Sequence, residues 1–252
     1  MPSPKHIKAI RDYWDSRSDH DPSSVVLDPA DTLGRKNTYL RMLTQEAFRH
    51  ALGGMKSDAL VLDFGCGTGQ NHGFLECLGH RPVGVDLSYC LLHQAVERHP
   101  NGAFILYDGQ NLPLRSACVD ATIVYLVFPY ILDEDTMAHT LGELFRVLKP
   151  GGRLLVIEQT RRKTTLQENG LKVHRSVADY RGLFKTAGFE VYQSSILRRG
   201  HFPLIYLIRY GLIPAFLFST IAKLEKWLGK AMPWQAFDYA ETLFVLGKPG
   251  SR

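Results

Sequence analysis

The stretch Val61-Leu62-Asp63-Phe64-Gly65-Cys66-Gly67-Thr68-Gly69-Gln70-Asn71 leaves this chain few ways to fold. An apolar, β-rich run from Ala59 to Leu62 delivers a carboxylate and then three glycines at alternate positions, and Thr68 to Leu78 reads as a helix start. Glycine has no Cβ, so the backbone can turn sharply and approach a ligand closely. The helix N-terminus behind it offers N–H groups that have no partner within the helix. The segment therefore reads as a ligand-cradling turn between a strand and a helix.

The order of the glycines narrows the ligand. A dinucleotide site calls for G-x-G-x-x-G, whereas this turn is G-x-G-x-G and has Gln70 where that fingerprint has its third glycine. Asp63 would repel a pyrophosphate and attract an ammonium group, so the electrostatics favour a nucleoside that carries an amino acid. The segment resembles the first motif of the class I S-adenosylmethionine-dependent methyltransferases, an apolar strand followed by D-x-G-x-G-x-G. That resemblance implies S-adenosyl-L-methionine as cofactor, held by Asp63, Gly65, Cys66, Gly67 and Gly69.

The following segments keep to the same pattern. Arg81 to Ser88 reads as a second strand ending in an acid, and Asp86, with Leu87 beside it, can accept from ribose hydroxyls. Ala103 to Tyr107 reads as a third strand. By resemblance, Asp108 accepts from the adenine amino group, and Gly109 or Gln110 offers a backbone N–H to the ring. Asp120 to Leu126 reads as a fourth strand, with Tyr125 near its end on the donor side. Leu148-Lys149-Pro150-Gly151-Gly152-Arg153 closes a helix and opens a fifth strand, Leu154 to Glu158. The resemblance covers Ala59 to Phe189 and the last strand.

Strands alternating with helices argue for an α/β chain with a parallel sheet covered on both faces. The resemblance implies a Rossmann-like fold: a mostly parallel seven-stranded sheet with an antiparallel last strand, an N-terminal helical cap and, in this chain, a helical insert between the last two strands. At 252 residues the chain can bury one full core. The expected division is a cap over 1–56, a cofactor core over 57–197, an apolar insert over 198–240 and a last strand with tail over 241–252. No repeat or low-complexity tract interrupts it. Cys66, Cys77, Cys90 and Cys118 never form C-x-x-C and read as reduced thiols without metal. The start lacks the apolar run of a signal peptide, so a cytoplasmic location is expected.

The net charge of +5 suits nucleic acid, an anionic membrane surface or an anionic substrate. The densest basic set is Arg161, Arg162, Lys163, Lys172 and Arg175, with Arg198 and Arg199 after the next strand. No aromatic-rich RNA-binding motif accompanies it. A solvated sheet rim is the plainer reading, and nucleic acid is disfavoured.

Two helices precede the cradle, Ile7 to Trp14 and Asn37 to Leu52, and relatives place such helices over the methyl donor. Tyr13 and Trp14 are therefore candidates for the pocket, although ordinary packing is the plainer role. After the fifth strand, Thr160 to Val173 reads as a polar loop, His174 to Ala187 as a helix and Phe189 to Leu197 as a sixth strand. Glu241 to Leu246 reads as the last strand. Between them, His201 to Ala222 holds one fixed charge, Arg209, among many large apolar residues. A membrane span is disfavoured, because both flanking strands belong to one sheet and Gly211 and Pro214 break the middle. Two readings remain: a lid over the active-site mouth, or peripheral membrane contact through 201–228.

Methyl transfer needs positioning, exclusion of water and, for a hydroxyl acceptor, a base. The acceptor candidates are Tyr13, Trp14, Phe128, Tyr130, Phe202 and Tyr206. Pro129 stands where relatives often carry histidine, so the base is sought elsewhere, His174 first and His139 second. The expected function is methyl transfer to a small or lipid-linked molecule at oxygen. The alternatives are an RNA or protein methyltransferase and a fold relative that binds the cofactor without transfer. Val127-Phe128-Pro129-Tyr130 lacks the N-P-P-Y-type tetrad that amino-group methylators often carry.

Overall fold

The computed structural model describes residues 4–18, 28, 30–200, 202–231 and 238–250. His201, expected at the head of the insert, and most of the 15–31 loop lie outside them. Helices α1 (Pro4–Asp15) and α2 (Arg35–Ala51) precede strand β1 (Leu60–Phe64). Then α3 (His72–Cys77), β2 (Arg81–Asp86), α4 (Tyr89–Arg98), β3 (Ala103–Leu106), β4 (Val119–Tyr125), α5 (Glu134–Val147) and β5 (Leu148–Arg161) follow. A hairpin, β6 (Thr165–Gln167) and β7 (Lys172–His174), leads to α6 (Val177–Thr186) and β8 (Glu190–Arg199). The insert supplies α7 (Leu204–Arg209) and α8 (Phe218–Ala231) before β9 (Tyr239–Gly247).

Seven strands form one mixed sheet in the order β3-β2-β1-β4-β5-β9-β8. β1 pairs in parallel with β2 and β4, β2 with β3, and β4 with β5. β9 runs antiparallel between β5 and β8. This is the expected Rossmann-like architecture with its antiparallel last strand.

Strand side chains alternate between faces, and both faces are covered. Val61, Ile123, Leu155 and Ile157 pack beneath Phe48, Leu52 and Leu75. Leu62, Val124, Leu154 and Val156 pack on the other side against Met137, Leu141 and Leu144 of α5 and Tyr180 and Phe184 of α6. Double coverage explains why these strands read as continuous apolar runs.

Two expectations need correction. Thr160 to Val173 is not a plain loop. β5 continues to Arg161 because β9 is long enough to pair with it, Thr160 with Ala240 and Arg161 with Tyr239. The β-branched residues beyond favour extended backbone, and Thr165 pairs with His174 in the hairpin. His174 therefore ends a strand and does not begin a helix. Ser176 caps α6 instead, accepting from the Asp179 N–H at 3.1 Å.

The insert folds back onto the cap. Ile205, Ile208, Ile213, Phe218 and Ala222 pack on Tyr39, Leu40 and Leu43 of α2. Gly211, at φ 77, follows the end of α7, and Pro214 precedes a short 3-10 turn, Ala215–Leu217. No described helix is long and apolar enough to cross a membrane. Buried Glu225 pins the insert: it accepts from Tyr39 Oη at 2.9 Å and the Arg199 N–H at 3.2 Å. Arg198, 6% exposed, donates to Glu241 at 3.0 Å and lies 4.0 Å from Glu225.

Removing one member of such a buried charged cluster strands its partners. Glu225→Ala should cost about 3 kcal/mol of stability in urea unfolding. Lys56→Ala, which breaks an exposed pair with Asp120, should cost under about 0.5 kcal/mol.

Candidate functional site

The glycines do different work. Gly65, Gly67 and Gly69 all have positive φ, at 75, 52 and 72. A Cβ on Gly65 would collide with Cγ2 of Val127, so this glycine lets the cradle approach the segment after β4. A Cβ on Gly69 would crowd Ala95, His99 and Phe104, each at 3.2 Å, so this one lets α4 and β3 close against the turn. Gly69 and buried Cys66 line neither of the cavities described below.

Asp86 sits at the end of β2 with both oxygens engaged. Oδ2 accepts from the Gly67 N–H at 2.8 Å and Oδ1 from the Ser88 N–H at 2.9 Å. Burial pushes this carboxyl up, while those backbone donors pull it back. Asp63 lies behind the cradle, 2% exposed, and its Oδ2 makes no hydrogen bond among the described residues. Burial pushes Asp63 up to about 7, Asn71 opposes the shift and nearby Asp86 adds to it.

A cavity of about 850 Å³, its mouth included, opens beyond the ends of β1, β2 and β4. Gly65, Gly67, Asp86, Leu87, Gly109 and Tyr125 line it. Asp108 does not: it is exposed, and its Oδ1 accepts from the N–H groups of Gln110 at 2.7 Å and Asn111 at 3.0 Å, closing its own turn. Gln110 lies off the wall, its carbonyl accepting from His139 Nε2 at 2.8 Å.

Helix α1 roofs this cavity. Ile7, Ile10 and Trp14 recur on one helical face and point into it. Ile7 lies so close to Gly109, at φ 87, that a Cβ there would come within 2.7 Å of Ile7 Cγ2. Asp15 latches the helix by accepting from Ser88 Oγ. Trp14 meets Tyr130 edge-on at 5.1 Å, and both line the cavity. Tyr13 packs outside them, 5.3 Å from Trp14. Phe128 is in the core, fully buried against Phe184 at 6.3 Å, because the short turn after β4 rotates it inward.

That turn is held from below. Glu158 accepts from the N–H groups of Val127 at 3.0 Å and Phe128 at 2.9 Å. Burial pushes Glu158 up to about 8 despite these donors. Arg175 donates to the carbonyls of Phe128 at 3.2 Å and Ile131 at 2.7 Å. Leu126, just before the turn, takes φ 57, a left-handed conformation uncommon for leucine.

The histidines are distributed differently from the expectation. His174 is buried and lines neither cavity. Burial, with Arg161 and Lys172 nearby, pushes it down to about 4, so at neutral pH it is an uncharged and weak proton acceptor. His139 is held by Gln110. His6 faces the cavity under α1 instead, its Nε2 donating to the Tyr130 carbonyl at 3.0 Å. A carbonyl only accepts, so Nε2 carries the proton and Nδ1 keeps a lone pair. The sequence signal for His6 was its place beside the apolar face of Ile7, Ile10 and Trp14.

A second cavity of about 920 Å³, mouth included, lies over the ends of β5 and β8 and the start of β9. Leu126 lines both cavities. Tyr206 of the insert is on the second wall, while Phe202 is on neither.

Residues 62–156 match the family described as "Methyltransferase domain". Over 92 residues the chain is 37% identical to malonyl-[acyl-carrier protein] O-methyltransferase of Pectobacterium atrosepticum, covering 36% of this chain and 35% of that protein. Over 102 residues it is 36% identical to an 18S rRNA (guanine-N(7))-methyltransferase of Arabidopsis thaliana, covering 37% and 35%. The match thus spans about a third of the length of these relatives. The crystal structure of geranyl diphosphate C-methyltransferase from Streptomyces coelicolor A3(2), with Mg2+, geranyl-S-thiolodiphosphate and S-adenosyl-L-homocysteine, superposes with a TM-score of 0.71. That alignment covers 98% of this chain and 100% of that one at 16% identity, a likeness of fold. Residues 62–156 thus carry the methyltransferase-domain match, with the cradle between β1 and α3 inside it, and the sheet order agrees with the fold likeness to that crystal structure.

Proposed function

We propose that this chain transfers a methyl group from S-adenosyl-L-methionine to an oxygen of a small or lipid-linked molecule. The observation that carries this reading is the junction of two cavities at Leu126, one built on the donor motif and one walled partly by the insert. The donor supplies a sulfonium methyl for in-line displacement. Asp86, Gly65, Gly67 and Gly109 hold it, and α1 keeps water out. The orphaned Asp63 oxygen suits the donor's ammonium group. His6 takes the acceptor proton where there is one, being the one histidine among the described residues lining either cavity.

A nucleic-acid acceptor finds less support. The basic residues that could form a phosphate-binding stripe do not share one outer face. Arg175 and Arg198 are buried, Lys172 pairs with Glu168 at 2.8 Å, and Arg161 lines the second cavity.

The insert favours a lipid-linked acceptor reached from a membrane surface. Its outer side exposes Tyr210, Leu212, Phe216 and Trp227, each more than 60% accessible. Glu225, the one acid among residues 202–231, is buried, while Lys223 and Lys226 are exposed. An apolar tip with only basic exposed charge suits an anionic bilayer. Arg198 is buried, so Lys223 and Lys226 carry the electrostatic part.

Four outcomes test this. Asp86→Ala should weaken S-adenosylhomocysteine binding roughly ten- to a hundredfold, the loss of charge-assisted bonds worth about 1.5–3 kcal/mol; unchanged calorimetric affinity in a folded variant would refute the donor assignment. Donor affinity should climb from pH 5.5 to 7.5 by up to about tenfold per unit below pH 7, because Asp63 attracts the ammonium only once it ionises near about 7. Asp63→Asn should flatten that profile. With labelled donor and fractionated extract, label should enter lipid or polar metabolites; label confined to RNA would overturn the acceptor class. There His6→Ala should lower turnover about a hundredfold and His174→Ala should not. Finally, the protein should sediment with anionic vesicles and release with salt, and Leu212→Asp with Phe216→Asp should abolish sedimentation; a wild type that stays in the supernatant would remove the membrane reading.

A further inference from the structure

Four cations from four different elements converge on the second cavity: Lys36 of α2, Arg161 of β5, Arg198 of β8 and Arg209 of α7. Two carboxylates share the wall, Asp28 and Glu241. Asp28 serves two of the cations, with Lys36 Nζ at 2.8 Å and Arg209 Nη1 at 3.7 Å. Glu241 serves Arg198. Asp238 takes Nη1 of Arg161 from the mouth, where its side chain is half exposed and water screens it. Glu225 lies behind Arg198, engaged with Tyr39 and the Arg199 N–H.

Lys36 and Arg209 share the one carboxylate of Asp28, so that side of the wall carries a surplus of one positive charge, while Asp238 matches Arg161, and Glu241 and Glu225 match Arg198. A concave, partly dry surface concentrates the field of such a surplus. We propose that this cavity binds the phosphate or diphosphate group of the acceptor. The proposal rests on reading the second cavity as the acceptor's. A phosphate group carries negative charge and three strong acceptor oxygens at neutral pH, so it can meet the surplus cation and still accept from Arg161. Arginine presents a planar fork suited to phosphate oxygens. Arg161 has donors in hand for it: Nε goes to His174 Nδ1 at 3.4 Å, Nη1 goes to Asp238, and Nη2 makes no hydrogen bond among the described residues. His174, held uncharged beside Arg161, keeps its lone pair toward that guanidinium and adds no competing charge. Tyr206 lies on the same wall from the insert. An anionic group anchored here directs the rest of the acceptor toward Leu126, where the donor cavity begins.

The probe is inorganic pyrophosphate, titrated calorimetrically into the full-length protein at low salt, with S-adenosylhomocysteine titrated separately. Wild type should bind both. Arg161→Gln and Arg209→Gln should each weaken pyrophosphate about tenfold or more and leave S-adenosylhomocysteine affinity within about twofold, which also shows that the variants are folded. Glycerol 3-phosphate and hexyl phosphate as competitors separate a polar phosphate ester from an alkyl-linked head group, and displacement by either supports the site. Wild type that binds S-adenosylhomocysteine but no pyrophosphate at millimolar concentration overturns the proposal and leaves the donor site standing. Equal pyrophosphate binding by wild type and both variants overturns it as well. Arginine-dependent pyrophosphate binding without S-adenosylhomocysteine binding would keep the anion site and remove the methyltransferase reading.

Discussion

The carboxylate of Asp86 joins three parts of the molecule that are otherwise separate. One oxygen fixes the Gly67 N–H of the cradle, and the other fixes the Ser88 N–H at the head of α4. Ser88 in turn caps α4 through the Leu91 N–H at 3.1 Å and donates its hydroxyl to Asp15 of α1. Cradle, helix cap and roof are thus held in one hydrogen-bonded relay. Buried hydrogen bonds to charged groups are among the stronger polar contributions to structure. The relay also holds a carboxyl on the wall of the first cavity, where burial disfavours its charge and the backbone donors oppose that shift.

What the sequence disclosed follows from how local each signal is. The cradle, Asp86 and the Lys149-Pro150-Gly151-Gly152 turn depend on residues within a few positions of one another, and backbone conformation alone gives them meaning. The alternation of apolar runs with helices announced a parallel α/β sheet. Gly65, Gly67, Asp86, Leu87, Gly109 and Tyr125, singled out in the sequence, all reach the wall of the first cavity. Asp108 satisfied the same pattern, yet its side chain closes its own turn, a choice that only the loop geometry decides.

The remainder depended on tertiary contacts. His6 reaches the first cavity because α1 folds over it, and the apolar face beside His6 was the one local sign of that placement. His174 lost its expected place because Ser176, two residues later, is the better cap. Phe128 and Tyr130 are two residues apart in a 3-10 turn, and one went to the core while the other went to the cavity. The four cations of the second cavity lie far apart in sequence and are brought together by the antiparallel return of β9. That return also forces both ends of the insert to the same side of the sheet, and α2 offers the apolar surface on which it settles.

Leu126 illustrates a conflict settled in favour of architecture. A leucine in left-handed backbone costs about 1–2 kcal/mol, and the clamp made by Glu158 and Arg175 on the residues after it keeps the chain there. Glycine would relieve that cost. It would also delete the side chain of the one described residue that lines both cavities. Backbone ease and the shape of the passage where the cavities meet therefore oppose each other at a single position.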